Sequence, residues 1–388
     1  MMENIVRQPA VRVRQYYPPE SLAAIPCRPW LARGLILRRC ITEIIGASSI
    51  GKSSLMAAIG LHLAAGRDFG RFAIPQRCKF AFLTVEEDEQ ELDRRIGAIA
   101  SRLNFTREDF KGHFEVIEIS RPATLVTVTR KGVVEPTNKL MDLEIQLANK
   151  RIDVVALDPL AELHEAEENN NGQLRAAVGY IRDMLYRVQA GGFLSHHSRK
   201  GITAPGDLDA SRGGSSLGGL VRLAFTLTPA TMEMAQFLGV DDDPGLWHNL
   251  VRLDQAKANA LAKGAPTDWF RWQSIDLKNG PPGFSDHVGV LTPWQPPGAF
   301  DGVSVFRINR LLDRIAAGMP NGDFYTAWRR SPERWAGQLL MEDFGFSEEQ
   351  AQRGLRVWMD AGLLFEADFV DQKGRNRKGL KVNDAKRP

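Results

Sequence analysis

"ITEIIGASSIGKSS", residues 41–54, is an apolar run that breaks into small residues, meets a single lysine and passes into an apolar-periodic stretch. Gly46, Gly51, Lys52 and Ser53 satisfy the spacing G-x-x-x-x-G-K-[ST]. The context is the required one, a strand-like run before the glycines and the helical pattern "SSLMAAIGLHLAAG" after them. Gly46, Ala47, Ser48, Ser49, Ile50, Gly51, Lys52, Ser53 and Ser54 therefore read as a cradle for the phosphates of a nucleotide. The glycines let backbone N–H groups turn inward, and the helix N-terminus adds partial positive charge. Lys52 is placed to reach the β and γ phosphates and Ser53 to ligate Mg2+. A chance glycine-rich turn would need both flanks and the lysine to coincide.

Working outward, strand-like and helical patterns alternate. "CITEII", "KFAFLTVE", "HFEVIEI", "IDVVALD", "GFLSHH" and "VRLAFTLTP" read as strands, most of them separated by the helical patterns that begin at Ser53, Asp88, Thr137 and Gly172. Strands alternating with helices imply βαβ units and a mostly parallel sheet covered on both faces, an α/β nucleotide-binding architecture. "NLVRLDQAK" and "DWFRWQSID" read as an antiparallel extension that closes this domain.

Hydrolysis of ATP needs further groups. Asp158 follows four apolar residues in "IDVVALDPL" and takes the Walker B position beside Mg2+, although strand-ending aspartates are also common turn residues. Glu86 and Glu87 end the next apolar strand after the cradle helix. One of them can polarise the attacking water, or the pair can simply begin an acidic helix start with Asp88, Glu89 and Glu91. His196 and His197 end another strand. Adjacent strand residues face opposite ways and no Cys or carboxylate cluster accompanies them, so a γ-phosphate sensor is the better reading than a metal pair. Arg212 and Arg222, in "ASRGGSSLGGLVR", are candidate cations for the phosphate of a neighbouring subunit, or solvated surface charges.

Composition agrees with an ordinary globular chain. Of 388 residues 43% are hydrophobic and 25% charged, which excludes disordered and fibrous classes, and the net charge of +3 argues for no partner by itself. Cys27, Cys40 and Cys78 lie far apart without paired spacing, against a disulfide framework or a zinc site and in favour of a reducing cytoplasm. No apolar run approaches the ~20 residues of a membrane span, so no membrane partner is expected. The expected organisation is an N-terminal arm (1–29), an ATPase domain (30–277), a Pro/Gly-rich linker (278–302) and a small domain (303–388).

Taken in order, these motifs resemble the RepA-like branch of the hexameric RecA-type ATPases, whose members include plasmid and phage replicative helicases. The resemblance covers residues 28 to about 255: "RPWLARGLI", "GASSIGKSS", "LTVEEDEQELDRRI", "VVALDPLAELHEAEENNNGQL", "SHHSRKG" and "ASRGGSSLGGLVRLAFTL". It implies a RecA-like domain and a catalytic glutamate at Glu86, chosen by its spacing to Arg95. It also implies a magnesium aspartate at Asp158, a sensor at His197 and a trans-acting cation at Arg212 or Arg222. Proline after Asp158, and one more glycine than the usual "RGSS", are departures, and the second leaves the two arginines undecided. A homo-hexamer with ATP between neighbours is implied, with single-stranded DNA in its channel. The first channel loop is acidic, with Glu162, Glu165, Glu167 and Glu168, whereas the second carries Arg199, Lys200 and Arg212 against Asp207 and Asp209.

Residues 303–388 change character. "SVFRINRLLDRIAAG", "SPERWAGQLLMEDFG" and "SEEQAQRGLRVWMDAG" read as amphipathic helices, the third with Ser347 and Gln350 at capping-box spacing. "LLFEADFV" and "GLKVN" then make a hairpin around a basic turn, and residues 371–388 hold seven basic residues against two acidic. This is a winged-helix-like α+β pattern. Arg353 and Arg356 can point together toward duplex DNA, or form a solvated face; such domains also dock proteins. The expected function is an ATP-dependent ring-forming motor on DNA, a replicative helicase or translocase. The alternative is a DNA-binding regulator or loader whose ATP binding controls assembly.

Overall fold

The computed structural model describes residues 15–388 except 168, 200–203, 211–216, 260–265, 282 and 372. Strands β1 (Trp30–Ala32) and β2 (Ile36–Leu37) form a small hairpin, and residues 15–29 ahead of it are exposed throughout. The main sheet uses β3 (Ile41–Gly46), β4 (Phe80–Thr84), β5 (Phe114–Val116), β8 (Val154–Asp158), β9 (Gly191–His197), β10 (Leu223–Pro229), β11 (Leu250–Ala258), β12 (Asp268–Asp276) and β13 (His287–Trp294), while β6 (Val126–Val128) and β7 (Val134–Pro136) pair as a separate hairpin. Its order is β13-β12-β11-β10-β3-β9-β8-β4-β5. From β10 to β5 all neighbours are parallel; β11, β12 and β13 add on in antiparallel fashion.

β3 and β8 are buried at every position, so neither shows the polar alternation of a half-exposed strand. Ile44 points into one apolar layer and Ile41 and Ile45 into the other. The first layer is covered by α1 (Lys52–Ala65), α2 (Glu89–Arg102) and the short α3 (Arg107–Phe110), the second by α4 (Asn138–Lys150) and α5 (Asn171–Val188). α1 is buried on nearly every side, which explains a helix with no polar face. It lies so close to β4 that a Cβ on Gly60 would sit 2.3 Å from the Phe80 ring. This is a RecA-like P-loop fold.

After α6 (Met232–Leu238) and α7 (Pro244–Trp247), the chain builds the antiparallel strands, then α8 (Val305–Ala317), α9 (Gly337–Phe344), α10 (Glu348–Asp360) and the hairpin β14 (Leu364–Val370) with β15 (Asn376–Val382). These last elements share their own core of Leu311, Leu312, Leu340, Leu355, Trp358 and Leu380. The capping box at Ser347 and Gln350 is formed on both sides.

Two expectations are corrected. Residues 278–302 are not a linker: β13 lies within them, paired along its length with β12 and packed on α1 and α2, and Phe300 stacks on Trp358 at 4.4 Å in the C-terminal core. Arg353 does not join Arg356 on a free face. Its guanidinium, half-buried, donates to the carbonyls of Leu238 (3.1 Å) and Pro297, and so fastens α10 to the ATPase domain. Arg353→Ala leaves both carbonyls without that donor, at a cost of about 1–3 kcal/mol. Calorimetry should show the C-terminal domain melting separately and earlier, with the 295–304 segment cut faster by protease.

Candidate functional site

β3 ends at Gly46, and the chain must turn within five residues to start α1 at Lys52. Ser49 (φ 61) and Gly51 (φ 105) take the left-handed conformations that make this possible. Gly51 is doubly constrained, since a Cβ there would lie 2.6 Å from both Leu291 and the Trp272 ring of the antiparallel extension. Lys52 Nζ donates to the carbonyls of Gly46 (3.1 Å) and Ala47 (2.8 Å) and lies 3.3 Å from His197 Nδ1. Burial pushes its ammonium below the ordinary lysine value, against the pull of Asp158 and Glu86.

A cleft of about 410 Å³ opens over this turn, lined by Ser48, Ser49, Gly51, Lys52 and Ser53. Gly46 and Ala47 contribute carbonyls that hold Lys52, and Ile50 packs into the core. Ser54 differs from expectation in its side chain: its buried hydroxyl accepts from the Leu291 N–H at 3.5 Å, facing β13 instead of the cleft.

The remaining lining comes from strand ends. Asp158, at the end of β8, accepts from Ser195 Oγ through one oxygen, while its other oxygen is buried without a partner. An orphaned carboxylate oxygen in a cleft shared with the Ser53 hydroxyl is an all-oxygen donor set suited to Mg2+, an ion usually held by one or two protein oxygens plus substrate phosphates. Among the described residues no cluster of three or more His, Cys, Asp or Glu makes a metal site elsewhere.

The two glutamates that sequence left undivided have separate partners. Glu87 is held by a two-pronged contact with Arg95, one bond being 2.9 Å, and both side chains are largely buried. Arg95 therefore marks Glu87 and not Glu86, contrary to the spacing argument. Glu86 is half-exposed, faces the cleft and lies 3.9 Å from His197 Nε2. Partial burial and then the Asp158 carboxylate push its carboxyl above the ordinary value; Lys52 pulls the other way. Asp88 caps α2 by accepting from the Glu91 N–H at 2.8 Å.

Strand alternation divides the histidines. His197 also lies 3.3 Å from Ser48 Oγ in the cleft. His196 points into the opposite layer and sits 2.8 Å from Glu43 Oε1, both side chains almost wholly buried. Arg222 is remote: its N–H donates to the Ile41 carbonyl, at the start of β3, and its side chain shares a second cavity with Arg39, Cys40 and Tyr186. Arg212 lies outside the described residues, as do Lys200 and Glu168. Trp272, which no motif singled out, also lines the cleft, as does Arg95, which entered only through its spacing to Glu86.

A phosphate cradle on a buried parallel strand, with Asp158 and Glu86 at the ends of neighbouring strands, defines a P-loop ATPase of RecA-like fold. Residues 9–202 match the AAA_25 model, an AAA domain, and the chain belongs to that family. Among the described residues no helix is long and apolar enough to cross a membrane.

Lys52→Ala should abolish ATP hydrolysis, whereas Glu86→Gln should keep nucleotide binding and lower kcat by roughly 10²–10⁴, read by a coupled ATPase assay beside a nucleotide-binding titration. Glu86 also yields a stability prediction. A carboxyl whose folded value lies above its unfolded one contributes stability below the unfolded value and loses it as pH rises through the folded value. Without nucleotide, Glu86→Gln should therefore melt higher than wild type at about pH 8, with the gap closing below about pH 4, where the unfolded carboxyl is also protonated.

Proposed function

We propose that this ATPase is a ring-forming motor on DNA, a replicative helicase or translocase in which each nucleotide lies between two copies of the chain. The observation that carries the reading is the placement of Arg222. The cleft sits at the carboxyl ends of the strands and Arg222 at the opposite end of the adjoining β10, about 17 Å away for five residues of strand, which leaves its guanidinium out of reach of its own cleft and open to another copy's phosphate. A contact joining opposite ends of identical subunits is heterologous, and it makes a ring where the rotation between copies closes and a filament where it does not. Lys52 would hold the β and γ phosphates, Glu86 would orient the attacking water, and His197, touching both Lys52 and Ser48, would register the γ-phosphate. Bound Mg2+, held through Asp158 and Ser53, would neutralise charge on the phosphate oxygens.

A second reading, a regulator or loader whose ATP binding sets assembly, draws on the loop after Asp158. That loop is tied to β6 by the Glu165 N–H bond to the Val126 carbonyl (3.0 Å) and by the Glu165 carboxylate on Thr127, and it exposes Glu162 and Glu167. A pinned acidic loop is a poor grip on a phosphate strand. The basic strand β15 (Asn376–Val382) and the exposed Arg356 would supply duplex contacts in either reading.

Subunit mixing tests the shared site. Lys52→Ala and Arg222→Ala should each be inactive alone, and an equal mixture should recover roughly a quarter of wild-type ATPase, the fraction of interfaces with both groups intact. Light scattering should show assembly with ATP and magnesium, and single-stranded DNA should stimulate hydrolysis. Protein that stays monomeric, with hydrolysis indifferent to DNA, sinks the motor; an active Arg222→Ala beside a dead Arg212→Ala moves the role to Arg212.

A further inference from the structure

The connection between α8 and α9 contains "YTAWRRSPER", residues 325–334, which no functional reading has used. Trp328 is 58% exposed, yet its indole is fixed: Nε1 donates to Glu366 Oε1 on β14 at 2.6 Å. Arg334 lies buried beneath, donating to the carbonyls of Phe324 and of Lys378 on β15, each at 2.9 Å. The connection is thus stitched to both strands of the hairpin, and a groove of about 850 Å³ remains between it, the hairpin and the exposed side of α10 at Gln352.

The groove is basic. Its lining holds Arg329, Arg330, Arg334, Arg377 and Lys378 against the single acid Glu366. Arg329 is paired with Glu348, Arg377 with Asp371 at 2.7 Å, and Arg334 is spent on carbonyls. Neither Arg330 nor Lys378 is held in an ion pair among the described residues, although Asp368 lies directly across the ladder from Lys378, and both stay available to an anion. An indole whose N–H is already bonded offers a ligand its face. A fixed aromatic face beside cations free of ion pairs suits a phosphodiester strand with an unpaired base, since stacking tolerates any base. A duplex keeps its base faces inside the stack and cannot use such a platform.

We propose that this groove binds single-stranded DNA, one unpaired base stacking on Trp328 while Arg330 and Lys378 hold flanking phosphates. The inference rests on the reading that the chain acts on DNA, but needs neither a ring nor hydrolysis.

The test is fluorescence anisotropy of the full chain without nucleotide, using labelled oligo(dT) and a labelled blunt duplex. Trp328→Ala should weaken oligo(dT) about tenfold or more and leave the duplex unchanged, whereas Trp328→Phe, which keeps a ring but not the bond to Glu366, should retain most of the affinity. Arg330→Ala with Lys378→Ala should make the log–log salt dependence shallower by about 1.4, two phosphate contacts of a single strand. DNA-free ATPase activity should be unchanged in all three. Equal losses in the Ala and Phe variants would show that the indole serves only to hold Glu366 and would overturn the proposal, as would parallel loss of duplex binding or no loss at all. A DNA-indifferent ATPase that still shows the Trp328 pattern removes the motor and keeps the groove; ATP-driven assembly with no oligo(dT) affinity does the reverse.

Discussion

The ammonium of Lys52 is buried where β3 leaves the sheet, clasped by the carbonyls of Gly46 and Ala47 and facing the carboxylates of Asp158 and Glu86. A charge removed from water needs opposite charge or hydrogen-bonding dipoles close by, and that requirement orders much of what surrounds it. β3 must lie centrally, so that neighbouring strands can bring Asp158 and His197 to the same end of the sheet. The turn must be tight enough to return its carbonyls to the lysine, which fixes left-handed backbone at Ser49 and Gly51. The site keeps its electrostatic tension: burial lowers Lys52 and raises Glu86, so the charged form of each is less favoured than in a free side chain.

Sequence showed this half of the molecule well because its signals are local. The cradle spacing, the apolar run before Asp158 and the alternation of "FLSHH" each depend on a few adjacent residues, and the two histidines do face opposite layers. Choices set by partners distant in the chain were less legible. Nothing in "VEEDEQELDRR" says which glutamate Arg95 will take, because helix α2 must first dock before that geometry exists. Arg353 and Arg356 share a helix face by spacing, yet the α6 carbonyl at Leu238 claims only one of them. β13 was hidden by prolines. Its Pro293 pairs with Phe270 at the sheet's outer edge, where a missing N–H removes no ladder bond on the open side, so a proline that argues against a central strand is compatible with this one.

β13 also changes how the two domains relate. Leu291 presses on Gly51 and bonds through its N–H to Ser54, so one end of this strand forms part of the wall behind the phosphate turn. Within ten residues the same chain reaches Pro297, whose carbonyl receives Arg353, and Phe300, which stacks in the C-terminal core. The cradle and the C-terminal domain are therefore joined by continuous packed backbone and not by a flexible tether. Coupling between distant sites needs an element that both of them bias. Among the described residues β12 and β13 meet that geometric condition, with Trp272 and Leu291 against the turn at one end and the α10 anchor at the other. The contact is close enough that even a methyl group on Gly51 would have to displace these two side chains. This antiparallel pair is thus the packed backbone that lies between the phosphate turn and the C-terminal domain.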